Sequence, residues 1–184
     1  MTKGTLPALL ALATLFGCAS FNDSMTPSVQ TIKDDFDGSQ IVRQEPVSAA
    51  SSLNEAWHTL GFEWRTNNPD VVIITAGVNG IVNISTVAFN ADDRIIDKFT
   101  EASRFTDHGT PGDYAPPGST RRFAMSWDDF LTIAHAKSVK MRLSQIDAYS
   151  VSSFGPSHAG ATVNTKFAPF LDKVRALRSP AQKT

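Results

Sequence analysis

The chain has 184 residues, with 17 Lys and Arg against 18 Asp and Glu and a formal charge of −1. This balance excludes an electrostatic case for nucleic-acid binding, which needs a basic face able to displace counterions. A hydrophobic content of 41% is that of an ordinary globular chain rather than a disordered one. The only cysteine is Cys18, so the fold is not built on intrachain disulfides.

The first 17 residues have the pattern of a secretory signal. One basic residue, Lys3, precedes an uncharged and largely apolar run from Leu6 to Phe16. That run is too short for a membrane-spanning helix, which needs about 20 residues, but it fits the apolar region of a signal peptide. The segment ends in the sequence Leu15-Phe16-Gly17-Cys18.

This ending resembles the lipobox of bacterial lipoproteins. The resemblance implies that the chain is cleaved after Gly17, that the Cys18 sulfur is diacylated, and that a third acyl chain can join the new amine. In Gram-negative members an Asp after the cysteine favours the inner membrane. Ala19 therefore implies a lipid anchor at the periplasmic face of the outer membrane. The alternative is an incidental cysteine that follows a misinterpreted core helix.

The sequence divides into three regions. Residues 1–17 are the expected signal peptide, and residues 18–28 are a lipidated N-terminus and a tether of small and polar residues. Residues 29–184 are expected to form a single domain, long enough to bury a core without disulfides.

The first two predicted elements of this domain are a strand from Gln40 to Val47 and a helix that begins near Ser52. Ser52 and Glu55 match a capping box, in which a hydroxyl and a carboxylate satisfy the free amides of the first helical turn. Gly61 is expected to end the helix. The apolar residues recur at helical spacing, namely Leu53, Ala56, Trp57 and Leu60.

An antiparallel meander is predicted next, because its short connections cannot cross over to parallel neighbours. Asn79-Gly80 is predicted to be the turn of a hairpin, since both residues tolerate positive φ. The predicted strands run from Phe62 to Arg65, Val71 to Val78, Ile81 to Phe89 and Arg94 to Thr100.

Residues 101–120 contain several Gly and Pro residues and are predicted to form a long loop without regular structure, which is often functional. A strand from Arg121 to Met125 follows, and Ser126 is predicted to cap a short helix. Arg121 and Arg122, as neighbours in a strand, are expected to point to opposite faces of the sheet.

The last predicted elements are a hairpin and a helix. The hairpin joins Val139–Ile146 to Ala148–Phe154, and the helix begins at Ser157 with a kink or a break at Pro169. Together the elements predict an α+β fold, in which about three helices pack mainly on one face of an antiparallel meander sheet.

The sequence contains no recognised catalytic or phosphate-binding motif, and we expect neither a cofactor nor a metal. The weak candidates lie in the long loop, where Asp107, His108 and Asp113 are able to form a small metal or acid/base site. Such residues are equally typical of any polar loop.

Aromatic residues give a second set of candidates. Phe105 and Tyr114 in the same loop are weak candidates for binding a partner, because aromatic anchors dominate protein interfaces. Trp57, Trp64 and Trp127 are expected to pack in the core.

Two classes of function follow from this pattern. The first is a non-catalytic envelope lipoprotein that binds an envelope protein or supports envelope assembly. The predicted helix that runs into Gly61-Phe62 and a meander resembles the small α/β modules of accessory lipoproteins in envelope assembly. The alternative is an envelope hydrolase, or a small-ligand carrier, that uses the 101–120 loop.

We expect the substitution Cys18→Ala to abolish acyl labelling and to release the protein from the membrane fraction. Two or three acyl chains, at roughly 0.8 kcal/mol per buried methylene, hold a protein at a bilayer almost irreversibly. Metabolic labelling with a fatty acid and cell fractionation measure both effects. Unchanged membrane retention would contradict lipidation at Cys18.

Overall fold

A computed structural model describes residues 26–109 and 118–178 of the chain. In these ranges β-strands dominate, and the two helices are α1 (Trp127–His135) and α2 (Asn164–Arg178). The strands are β1 (Gln30–Lys33), β2 (Gln40–Ser48), β3 (His58–Arg65), β4 (Asn68–Asn79), β5 (Thr86–Ala91), β6 (Arg94–Ile96), β7 (Thr100–Glu101), β8 (Asp107–His108), β9 (Gly118–Ser126), β10 (Val139–Ser144) and β11 (Tyr149–Phe154).

The strands form two sheets in which every neighbouring pair is antiparallel. Sheet A has seven strands in the order β1-β2-β3-β4-β9-β7, and β8 also pairs with β9. Sheet B has the order β11-β10-β5-β6. The antiparallel pairing is confirmed, but the α+β class with about three helices is wrong. The fold is β-rich.

The inner faces of both sheets and the apolar faces of both helices share one core. Phe62 of β3 contacts the rings of Phe130 in α1 and of Phe167 and Phe170 in α2, at centroid distances of 5.3, 5.1 and 4.8 Å. Phe167 also stacks on Phe154 of sheet B at 6.0 Å. Aromatic rings therefore connect the two sheets through α2. No helix in the described ranges is long and apolar enough to cross a bilayer.

The predicted helix from Ser52 to Leu60 is wrong. Residues 51–55 form turns, and His58–Arg65 is a strand that is buried along most of its length. The Glu55 carboxylate accepts hydrogen bonds from the amides of Ser51 and of Ser153 in β11 rather than closing a capping box. The amphipathic spacing was coincidental, since Leu53 is 83% exposed and Trp57 is 53% exposed.

The predicted hairpin at Asn79-Gly80 is also wrong. Gly80 has the expected positive φ of 95°, but β4 lies between β3 and β9, and residues 81–85 lead into sheet B. The Ser119 hydroxyl fixes this crossover, because it donates to the Gly80 carbonyl at 2.8 Å and accepts from the Val82 amide at 2.9 Å. The Asn-Gly turn therefore changes sheets instead of reversing within one.

Several local predictions are confirmed. Ser126 caps α1, since its hydroxyl accepts the Asp129 amide at 3.1 Å, and β10 pairs with β11 as a hairpin. The 101–120 segment is not wholly irregular, because β7 and β8 both lie on the edge of β9. The last helix begins at Asn164 rather than at Ser157 and is continuous through Pro169.

Gly61 has a packing role rather than a helix-ending one. Strand β2 bulges between Gln44 and Val47 and passes directly over Gly61. A Cβ there would lie 2.8 Å from both the Gln44 carbonyl oxygen and the Pro46 nitrogen. Both of these contacts are with backbone atoms, which cannot move away without disturbing the pairing of β2 with β3.

We therefore expect Gly61→Ala to lower the free energy of unfolding by about 1–3 kcal/mol, the usual cost of overpacking a fixed site. Denaturant unfolding measures the loss. Gly118→Ala is the matched control, since its Cβ would have one ordinary contact, at 3.6 Å from the Val78 carbonyl oxygen. Equal stabilities of the two variants would refute the role given to the bulge.

Candidate functional site

His58 lies where the two sheets meet. It begins β3, it is 1% exposed, and both of its ring nitrogens contact serines of β11 in sheet B. Nδ1 is 2.9 Å from the Ser152 hydroxyl and Nε2 is 2.8 Å from the Ser150 hydroxyl. A neutral imidazole has one donor and one acceptor, so it satisfies both hydroxyls at once.

Burial lowers the pKa of His58 to about 4, although the nearby Glu55 carboxylate opposes this shift. Burial disfavours ionisation of Glu55 as well, but hydrogen bonds from Ser51 and Ser153 hold the pKa of its carboxyl below the usual value. A histidine with so low a pKa is a weak base near neutral pH. The geometry therefore assigns His58 to the connection between the sheets rather than to activation of Ser150.

His108, like His58, forms a hydrogen bond with a serine hydroxyl that connects parts of the fold. Its Nδ1 is 2.9 Å from the hydroxyl of Ser119, a side chain that is fully buried beneath it. Ser119 uses its only proton on the Gly80 carbonyl, so His108 must donate from Nδ1. This hydroxyl is thus committed to the crossover and is a poor nucleophile, since His108 cannot accept its proton.

The other predicted site residues are dispersed or lie outside the described ranges. Asp107 and Phe105 are exposed, the latter to 81%, while Asp113, Tyr114 and Cys18 lie outside the ranges described. No group of three or more His, Cys, Asp or Glu side chains within those ranges is arranged to hold a metal. Trp64 is in the core, as expected, and the partly buried Trp127 packs against the core. Trp57 is not in the core.

The outer face of sheet B is an apolar surface that the sequence did not indicate. Ile95, Tyr149 and Val151 are 61%, 68% and 37% exposed, and Ile146, in the turn between β10 and β11, is 76% exposed. In the strand pairing, Arg142 of β10 lies opposite Val151 of β11 on one side and opposite Ala88 of β5 on the other. These three side chains therefore share one face of the sheet. A groove of about 360 Å³ is lined by Ala88, Phe89, Asn90, Ile95, Lys140, Arg142 and Val151.

The outer face of sheet A has the opposite character. Glu63 of β3 is buried, and it accepts hydrogen bonds from Arg43 of β2 at 2.7 and 2.9 Å and from Arg65 at 2.9 Å. Arg122 of β9 approaches the same carboxylate at 3.4 Å. Arg121, by contrast, donates to the Ile84 carbonyl on the other side of the sheet, as the strand alternation predicts.

Burial opposes ionisation of Glu63, but the hydrogen bonds from Arg65 and Arg43 and the charge of Arg122 hold the pKa of its carboxyl below the usual value. The sequence signal for this cluster was the alternation in Glu63-Trp64-Arg65, whose two charged residues share one face of the predicted strand from Phe62 to Arg65. Arg43 and Arg122 lie in other strands, so this local pattern could not show that they approach Glu63.

No protein-family model matches this chain, and comparisons with curated proteins and with solved structures find no match.

The burial of His58 makes stability depend on pH. The pKa of about 4 in the folded state lies below the unfolded value of 6.5, so the unfolded chain binds more protons between these limits. The stabilisation is complete above pH 6.5 and is lost as the pH falls toward 4. We expect a loss of about 2 kcal/mol between pH 7.5 and pH 5.

Urea unfolding at these two pH values measures this loss. The variant His58→Gln is expected to be less stable at neutral pH but to lack most of the pH dependence. His135→Gln, which removes an exposed histidine of α1, is expected to retain the dependence. A wild-type protein with equal stability at both pH values would contradict the assignment.

Proposed function

We propose that this chain is a lipid-anchored, non-catalytic protein of the cell envelope that binds a partner protein through the outer face of sheet B. The anchor is the acylated Cys18 that the sequence Leu15-Phe16-Gly17-Cys18 favours. The compartment that this anchor favours is the periplasmic face of the outer membrane.

The exposed apolar face of sheet B is the observation that carries the binding function. Ile95 and Val151 expose large side chains at the 360 Å³ groove, and Tyr149 lies on the same face of β11, two residues before Val151. Apolar groups gathered on one sheet face, rather than scattered singly, are typical of an interaction surface. Tyr149 also has the Arg142 guanidinium over its ring, at 6.0 Å from the centroid, which orders two residue types common in interface hot spots.

The charges of this face define the chemistry of the partner. The charged residues that the strands of sheet B place on this face are Lys140 and Arg142, and those strands contain no Asp or Glu. Arg94 of β6 lies on the inner side, where it pairs with Asp129 of α1 at 2.9 Å. Lys140 and Arg142 border the groove directly. The expected partner is therefore a protein whose contact surface combines aliphatic side chains with a carboxylate, because that combination complements both parts of the face.

A photo-cross-linking residue at position 149, introduced in intact cells, tests this function. We expect one discrete partner to be captured, and Val151→Asp to reduce that capture at least fivefold by placing a carboxylate beside the groove. Phe36→Asp is the matched control, since Phe36 is 98% exposed in the turn between β1 and β2 of sheet A.

The outcomes separate the candidate functions. Capture that is lost with Val151→Asp and retained with Phe36→Asp supports the partner surface. Only self-cross-links, or capture unaffected by Val151→Asp, would contradict it. A hydrolase or carrier that uses the 101–120 loop would instead lose its function with His108→Ala and keep it with Val151→Asp.

A further inference from the structure

A cleft on the outer face of sheet A is separate from the partner surface. It has a volume of about 200 Å³, and its lining includes Arg43, Glu63, Thr75 and Arg122. The bulge of β2 forms one wall through Glu45 and Pro46. Thr75 and Arg122 are direct neighbours across β4 and β9, so both side chains project into this face from adjacent strands.

The Glu63 carboxylate lies at the base of the cleft and holds the surrounding arginine side chains in place. Only 7% of its side chain is exposed, and its two carboxylate oxygens are divided between the arginines: Oε2 accepts from Arg43, and Oε1 accepts from Arg65 and lies near Arg122. A buried carboxylate that holds several guanidinium groups restricts their rotamers. The arginines are therefore ordered before any ligand arrives.

The guanidinium groups of the cluster have more N–H donors than the Glu63 carboxylate uses. Arg65 has a second partner in Asp34 at 3.1 Å, but the second partner of Arg43 is the half-exposed Glu45 at 3.9 Å. The guanidinium group of Arg122 has one polar contact in the described ranges, the 3.4 Å approach to Glu63. Free N–H groups of Arg43 and Arg122 thus remain available beside Thr75, which also lines the cleft. The Thr75 hydroxyl has no hydrogen-bond partner in the described ranges.

We propose that this Glu63 cleft binds a single phosphate group, with Arg43, Arg122 and Thr75 as the donors. Guanidinium forks match the oxygens of phosphate, and a hydroxyl supplies a further donor to the same group. The volume of about 200 Å³ accommodates one such group, whereas drug-sized ligands occupy pockets of roughly 300–1,000 Å³. The site depends on neither the lipid anchor nor the partner surface.

Inorganic phosphate is the first probe, applied to the purified lipidated protein in detergent. We expect saturable binding in calorimetry and a rise in the unfolding temperature beyond that caused by chloride at the same ionic strength. Arg122→Gln is expected to weaken binding at least tenfold, and Thr75→Val to weaken it severalfold. The stability effect of phosphate should be lost with Arg122→Gln.

Arg175→Gln is the matched control, because Arg175 is an exposed arginine of α2 that pairs with Asp172 at 3.1 Å. This variant should bind phosphate like the wild type. Arg122 is 45% exposed and has one contact with Glu63, so its removal is not expected to prevent folding. A circular dichroism spectrum like that of the wild type verifies this point.

A second probe, soluble short-chain phosphatidylglycerol, identifies the source of the phosphate. Tighter binding of this lipid than of inorganic phosphate assigns the site to a lipid headgroup, and equal binding assigns it to free phosphate. Stabilisation by phosphate no greater than by chloride, or an affinity unchanged by Arg122→Gln, would overturn the proposal. Neither result bears on partner capture at position 149, so the two proposals fail independently.

Discussion

The contact of Phe62 with both helices is the interaction on which the rest of the structure depends. Its ring packs on Phe130 of α1 and on Phe167 and Phe170 of α2. Phe167 also stacks on Phe154 of sheet B, so the same set of rings connects sheet B to sheet A. Burial of one such side chain stabilises a fold by roughly 1.5–3 kcal/mol, and here one ring orders three elements.

The inward direction of Phe62 also determines the outer face of sheet A. Side chains alternate along a strand, so Gly61 and Glu63 must point outward when Phe62 points inward. A slip of one residue would bring Glu63 into the aromatic core and expose Phe62, which is why the register is strongly specified. The Glu63 cleft is therefore a direct consequence of the packing in the core.

Elements determined by neighbouring residues were predictable from the sequence, and elements determined by distant residues were not. The Ser126 cap needs only Asp129, and the hairpin of β10 and β11 needs only its own alternation and turn. The error at residues 52–60 arose because Glu55, which the sequence pairs with Ser52, instead joins the Ser51 amide of the turn to the distant Ser153 amide of β11. The helical spacing of apolar residues from Leu53 to Leu60 was weak evidence on its own. Burial of the inner face of β3 favours a strand from His58 onward instead.

The same distinction applies to the functional surfaces. A lipid anchor at Cys18 can be proposed from the sequence because a lipobox is a local pattern, whereas the groove of sheet B combines residues from β5, β6, β10 and β11. Strand β1 starts at Gln30, about 12 residues after Cys18, a length that spans at most roughly 40 Å. An anchor at Cys18 would keep the domain within that distance of the lipid surface. The two outer faces of the sheets would then meet partners confined to the same narrow layer, where effective concentrations are high and a modest contact area is sufficient.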